Sequence, residues 1–242
     1  MQALNSFYFI GLPYIALFVM IFGTIYRYRT AGFRVSSLSS EFLESKKLFW
    51  GSVPFHWGMM FLFFGHLAAF LVPKGVMAWN AHPVRLLVIE ISAFVFALCM
   101  FVGLFNLILR RMSDDRVRVV SSWMDYSILL LLMLQVVTGL ATAYFFRWGS
   151  SWFAAVLTPY LRSLLVFSPD IVAISSMHWV IQLHVIGAFL IILMIPFSRL
   201  MHFLVVPLPY LWRPFQRVIW YWNRRAVRSP KTQWTTNEPM NN

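Results

Sequence analysis

The chain has 242 residues, of which 60% are hydrophobic and only 12% are charged, and its formal net charge is +12. A soluble domain carries roughly 25% charged residues, so the composition excludes a water-soluble globular protein and indicates that lipid surrounds much of the chain. The basic residues lie between apolar blocks, which is typical of membrane topology and not of nucleic-acid binding. The single cysteine, Cys99, excludes an intrachain disulfide, a cysteine-ligated zinc site and an iron–sulfur cluster.

Five apolar segments are long enough to cross a bilayer, because about 20 residues suffice at a rise of 1.5 Å per residue. The predicted spans cover about 7–26, 48–72, 86–109, 126–146 and 177–206. Together they predict an all-α integral membrane protein, built as an antiparallel bundle of five transmembrane helices.

The lysine and arginine residues predict the orientation of the bundle. Arg27 and Arg29 follow the first apolar segment instead of preceding it, which favours a retained span over a signal peptide. If the N-terminus is outside, sixteen of the twenty basic residues lie on the cytoplasmic side. Those left on the outer side are Lys74, Arg85, Arg147 and Arg162. The positive-inside rule therefore predicts an outer N-terminus and a cytoplasmic C-terminus.

The rest of the chain completes one predicted membrane domain over residues 1–228. The long connection 148–176 contains an apolar piece, 161–167, which is too short to cross and is expected to lie in the outer interface. Residues 229–242 are mostly polar and are expected to form a disordered cytoplasmic tail.

Four of the six histidines lie inside predicted spans, where a titratable ring is costly unless it has a partner. His56 and His66 lie on the second span, and His184 and His202 lie on the fifth. Because these spans run antiparallel, His56 and His202 lie toward the cytoplasm, while His66 and His184 lie toward the outside. Two facing pairs at two depths are what two bis-histidine haems b require. The sequence has no C-x-x-C-H motif, so coordination and packing alone would hold each haem.

The spacing of these histidines admits other interpretations. On an ideal α-helix the step from His56 to His66 rises about 15 Å and the step from His184 to His202 about 27 Å. Pro196 lies within the longer step and predicts a kink that helps to absorb the difference. A lone membrane histidine is more often hydrogen-bonded to a neighbouring helix than bound to a metal, and zinc would lack ligands at both levels. Two histidines on each of two antiparallel spans favour haem.

Three arginines lie at positions from which they would bind a haem carboxylate. Arg199 lies three residues before His202, on nearly the same helical face, and Arg110 and Arg111 end the third span. Arginine binds carboxylates through charge-assisted hydrogen bonds, so these residues are candidate partners of the haem propionates. The alternative interpretation is that these arginines only set the orientation of the spans in the membrane.

Three stretches of the sequence resemble a known family. The sequence contains F-H-W-G-x5-F-G-H, then Q-L-H-V and P-F-S-R-L-M-H-F-L-V-V-P-L-P-Y-L. Over roughly residues 1–220 it resembles the gamma subunit of membrane-bound respiratory nitrate reductase. The resemblance implies a five-span cytochrome b in which His66 and His184 ligate an outer (distal) haem. His56 and His202 would ligate an inner (proximal) haem.

The resemblance also implies an activity and partners. Quinol from the membrane pool would be oxidised near the outer face, beside Gly65 and Arg85, where an arginine replaces the family's usual lysine. Electrons would pass to an iron–sulfur subunit and a molybdenum catalytic subunit on the cytoplasmic face of a bacterial or archaeal inner membrane. No residue is assigned a catalytic role, and no nucleic acid is expected as a partner.

Alternative functions stay open at this point. The same cytochrome would serve equally in reverse, as a quinone reductase in nitrite oxidation for example, or with another molybdoenzyme. A haem-free membrane anchor or transporter is the alternative from a different class.

Overall fold

The computed structural model describes residues 2–31 and 46–204. These residues contain five helices that are long and apolar enough to cross a membrane. We label them α1 (Ala3–Ala31), α2 (Lys46–Leu71), α3 (Pro83–Ser113), α4 (Trp123–Phe145) and α5 (Trp179–Met194). The prediction of an all-α protein with five spans is therefore confirmed. The orientation of its termini stays a prediction, and the tail 229–242 lies outside the described residues.

Short helices fill the connections between the spans. The α4–α5 connection is built from several of them in succession, with a π-helical turn at Phe153–Leu157. The apolar piece 161–167 falls at the end of one of these helices, and its location in the membrane interface stays a prediction. The short helices described here are Pro73–Asn80, Asp115–Val119, Gly149–Trp152, Thr158–Leu165 and Val172–Ser175.

Local sequence explains where α4 begins. Ser122 Oγ accepts a hydrogen bond from the Asp125 backbone N–H at 3.3 Å, and Asp125 Oδ2 accepts one from the Ser122 N–H at 2.9 Å. This reciprocal capping box satisfies two backbone donors that the first turn of a helix cannot pair internally. It also fixes the Asp125 carboxylate at the start of the span.

The helices pack in the order α2, α3, α4, α5, α1, each against the next. The closest approach is between α2 and α3, where glycines replace side chains. A Cβ added to Gly58 would lie 2.5 Å from the Phe96 carbonyl oxygen, and one added to Gly103 would collide with the Phe55 backbone. Small residues at helix contacts are typical of membrane bundles, because packing there depends on close backbone approach.

Two apolar clusters form the interior. The first lies between α2, α3 and α4 and includes Phe55, Leu104 and Leu132. The second joins α1 and α5 to the α4–α5 connection, and its Tyr160 donates a hydrogen bond to the Phe9 carbonyl oxygen at 2.8 Å. Large apolar side chains also cover the outside of the spans, as expected for helices that face lipid.

The fifth span differs from its prediction, because the α-helix ends at Met194 and does not continue to residue 206. A 3-10 turn at Ile195–Phe197 follows, and Ser198 is extended, with φ −111° and ψ 177°. Pro196 explains the break, since proline has no N–H and its ring clashes with the carbonyl four residues earlier. The predicted kink is therefore a full end of the helix.

A second 3-10 turn, Arg199–Phe203, carries His202. The rise of about 27 Å expected between His184 and His202 assumed an unbroken α-helix. That assumption was wrong, because an extended residue and two 3-10 turns replace the last turns of the helix. The position of His202 thus depends on contacts with other helices.

Candidate functional site

The four histidines lie on two separated parts of the bundle. His56 and His66 belong to α2, His184 belongs to α5, and His202 belongs to the 3-10 turn beyond it. Among the described residues α2 packs mainly on α3, α5 packs on α1 and α4, and α2 and α5 approach each other only marginally. Such spacing suits a flat group held between histidines of the two elements.

Three of these histidines share one hydrogen-bonding pattern. In His56, His66 and His202 the Nδ1 atom lies 2.5–2.7 Å from a backbone carbonyl oxygen three or four residues earlier. A carbonyl only accepts hydrogen bonds, so Nδ1 must carry the proton and Nε2 must carry the lone pair. Histidines that bind metals are oriented in this way, with the second ring nitrogen donating to a carbonyl or carboxylate.

His184 is held by side chains of α4 instead. Thr138 Oγ1 lies 3.0 Å from His184 Nδ1 and also 2.9 Å from the Leu134 carbonyl oxygen. The single hydroxyl proton is donated to the carbonyl, so the oxygen accepts from Nδ1–H and the lone pair of the ring lies on Nε2. Gln135 Nε2 lies 3.3 Å from that nitrogen. Gly139 lies behind the ring, where an added Cβ would come within 3.0 Å of Cε1.

The predicted outer histidine of α2, His66, lies against the α4–α5 connection. The ring of His66 meets Phe153 of the α4–α5 connection edge-on, with ring centroids 5.1 Å apart. Thr158 of the same connection donates to the Ala69 carbonyl oxygen at 3.3 Å, so this connection covers α2 next to His66.

The inner histidines are linked through their neighbours in sequence. Phe55 packs edge-on against the ring of His56, with centroids 5.1 Å apart. Leu200, two residues before His202, packs on the same apolar cluster that contains Phe55. These contacts agree with the predicted inner pair, whose role as haem ligands stays a prediction.

Two of the three predicted propionate partners share one carboxylate. Arg199 Nε lies 2.7 Å from Asp125 Oδ1, and Arg111 NH1 lies 3.1 Å from Asp125 Oδ2. Asp125 is only 4% exposed, and Arg110 is likewise buried. Asp125 was not among the site residues predicted from the sequence. The sequence did contain a signal for this residue, because Asp125 is a carboxylate beside an apolar segment in a chain with few acidic residues.

The predicted quinol residues lie toward the end of α2 and at the start of α3. Arg85 stacks over the Trp79 ring, with its guanidinium carbon 5.1 Å from the ring centroid. Within residues 2–31 and 46–204 no hydrogen bond joins Arg85 to Gly65 or His66. A Cβ added to Gly65 would have no atom within 4 Å. Gly65 lines an apolar groove of about 360 Å³ together with Trp57, Met60, Phe61, Phe64 and Phe96.

Thr138 and Gln135 were also missed by the sequence analysis. They are two polar residues one helical turn apart within an otherwise apolar span, and both meet His184. Polar residues at that spacing lie on one helical face, and this pattern would have indicated a shared partner.

The fold and the site define an all-α, multi-pass membrane protein with histidines inside its spans. The family described as nitrate reductase gamma subunit matches residues 5–221. The nitrate reductase gamma chain of Bacillus subtilis (strain 168) is 34% identical over 209 residues, which cover 84% of this chain and 93% of that protein. The chain therefore belongs to the nitrate reductase gamma subunit family, and it is a bacterial inner-membrane subunit of an oxidoreductase complex.

Relatives from a second organism agree. The respiratory nitrate reductase 1 gamma chain of Escherichia coli (strain K12) is 31% identical over 227 residues, covering 90% of this chain and 98% of that protein. The respiratory nitrate reductase 2 gamma chain of the same strain is 30% identical over 223 residues, covering 90% and 97%. The resemblance stated from the sequence is confirmed.

Proposed function

We propose that this chain is the cytochrome b subunit that oxidises quinol near the outer membrane face and passes electrons inward. Its partners would be an iron–sulfur subunit and a molybdenum-containing nitrate reductase on the cytoplasmic face. The observation that carries the proposal is the shared pattern of His56, His66 and His202, whose Nδ1 atoms bond backbone carbonyls and leave Nε2 to coordinate.

The residues present fit two haems b. His66 with His184 would hold the outer haem, and His56 with His202 the inner one. The haems, when bound, supply one-electron redox chemistry between a two-electron donor and the partner subunits. The protein's part is to orient the rings and fix their tautomers, which Thr138 does for His184. Gln135 must turn away from His184 Nε2 on ligation, because one lone pair serves either the amide or iron.

The outer ends of α2 and α3 suit a quinol. The apolar groove beside Gly65 matches an apolar isoprenoid tail, while Gly65 itself leaves room for a ring to approach α2. A guanidinium offers only hydrogen-bond donors, so the role of Arg85 would be to donate hydrogen bonds to a quinol oxygen and not to accept a proton.

The test is a dithionite-reduced-minus-oxidised spectrum of the purified complex, with pyridine haemochrome measurement of haem per chain. We expect two haems b, with one lost in His66→Ala and one lost in His56→Ala. His82→Ala is the matched control, since His82 is an exposed residue at the start of α3, and it should retain both. An assembled, folded complex without haem would overturn the proposal and leave a membrane anchor or a transporter.

A further inference from the structure

The His202 segment has little regular structure of its own. It follows the break at Pro196 and the extended Ser198, and it forms a single 3-10 turn, Arg199–Phe203. Such turns have poorer hydrogen-bond geometry than an α-helix and are used only in short pieces. The orientation of His202 must therefore be set by what the turn contacts.

Among the described residues, this turn makes a polar contact with Asp125 at the start of α4. Arg199 binds the carboxylate through two atoms, with Nε 2.7 Å from Oδ1 and NH2 2.9 Å from Oδ2. Its NH2 also donates to the Val120 carbonyl oxygen at 3.1 Å. A two-point contact of this kind fixes the plane of the guanidinium as well as its position.

Asp125 is itself held from two other directions. Arg111 at the end of α3 lies 3.1 Å away and also donates to Ser121 Oγ at 2.9 Å. The Ser122 backbone N–H donates to Asp125 Oδ2 as part of the capping box. One buried carboxylate thus joins α3, α4 and the 3-10 turn, and its negative charge offsets the repulsion between the two arginines that bind it.

The link to the histidine is direct. The Nδ1 of His202 bonds the carbonyl oxygen of Arg199, the same residue whose side chain Asp125 holds. We infer that Asp125 is a positioning residue for His202, and that it aims this ring at the inner haem through Arg199. The inference rests on the proposed function and names a role that the sequence pattern did not suggest.

The experiment uses the full chain in its complex, with Asp125→Asn and Asp125→Glu as the variants. The readouts are haem per chain, the midpoint potential of each haem in a redox titration, and the low-spin haem signals in electron paramagnetic resonance. Asn keeps the shape but loses the charge, so it should weaken retention of the inner haem roughly ten-fold or more, as loss of a supporting partner does at other metal sites. Glu keeps the charge and should retain the inner haem with a shifted potential.

The control variant is Asp115→Asn. Asp115 lies on the connection between α3 and α4, its side chain is 83% exposed, and it pairs with Arg118 at 2.8 Å. We therefore expect both haems to be unchanged in this variant. A change confined to the inner haem in either Asp125 variant supports the inference. Unchanged haem content and potentials in both Asp125 variants would overturn it. Equal loss of the inner and the outer haem in both variants would also overturn it, because that outcome would show a general folding role. A wild-type complex without haem would instead overturn the proposed function, before any variant is compared.

Discussion

Thr138 Oγ1 lies 3.0 Å from His184 Nδ1, so a hydroxyl of α4 contacts a histidine of α5. The same oxygen donates its proton to the Leu134 carbonyl 2.9 Å away, which makes it an acceptor toward the ring. The contact therefore selects the tautomer in which Nε2 carries the lone pair. Such supporting partners orient a ligand and raise its basicity.

Thr138→Val should weaken retention of the outer haem and leave the inner haem unchanged. The substitution keeps the shape but removes the acceptor, and an unsatisfied buried Nδ1–H costs about 1–3 kcal/mol. We expect roughly ten-fold weaker retention of the outer haem and a shift in its midpoint potential, measured by haemochrome analysis and redox titration. Thr138→Ser keeps the hydroxyl and should behave like wild type. Identical potentials in Thr138→Val and wild type would contradict the assignment.

Two glycines provide a matched steric test. A Cβ on Gly139 would press on His184 at 3.0 Å, whereas a Cβ on Gly65 would meet nothing within 4 Å. Gly139→Ala should therefore displace the ring and lower outer-haem content. Gly65→Ala should keep two haems, and any change should appear in the rate of quinol turnover. Haem per chain in the two purified variants decides the matter, and equal content in both would count against the proposed role of His184.

Arg85→Ala should affect quinol and leave the haems intact. Loss of a charge-assisted hydrogen bond costs about 1.5–3 kcal/mol, which corresponds to roughly ten-fold or more in kcat/KM for quinol. Arg85→Lys keeps a cation and should lose less. Arg147→Ala is the control, because Arg147 is an exposed arginine just after α4. A quinol-oxidation assay in which Arg85→Ala and Arg147→Ala behave alike would remove Arg85 from the site.

The sequence predicted the spans well, because long apolar blocks bounded by charge have few alternatives in a membrane. It predicted the helices that carry His56, His66 and His184 for the same reason, whereas His202 lies in a 3-10 turn beyond the end of α5. It did not predict that α5 ends at Met194, since a proline within an apolar run is compatible with a kink or with an end. The choice depends on contacts that are distant in sequence. Arg27, 169 residues away, binds the Pro196 carbonyl oxygen.

The contacts around the site could not be predicted from the sequence for a related reason. Arg199 and Asp125 are 74 residues apart, and nothing in the local pattern of either indicates the pair. Arginine at a span end is ordinary topology-setting charge, so the pairing needed the folded bundle to become visible. The polar face of Thr138 and Gln135 was readable in principle, because two polar residues one turn apart in an apolar span require partners.

Arg27 stabilises the break in the fifth span, and its loss should lower stability. Its NH1 lies 2.6 Å from the Pro196 carbonyl oxygen and 3.0 Å from that of Ser198, two groups near the point where the helical hydrogen-bond ladder ends. Hydrogen bonds from a charged donor contribute about 1.5–3 kcal/mol, so Arg27→Ala should lower the temperature of half-unfolding of the complex by several degrees. Arg29→Ala provides the comparison, because Arg29 is exposed in the same turn of α1. Thermal loss of the haem absorbance measures both, and equal shifts would mean that these two contacts contribute nothing beyond general surface charge.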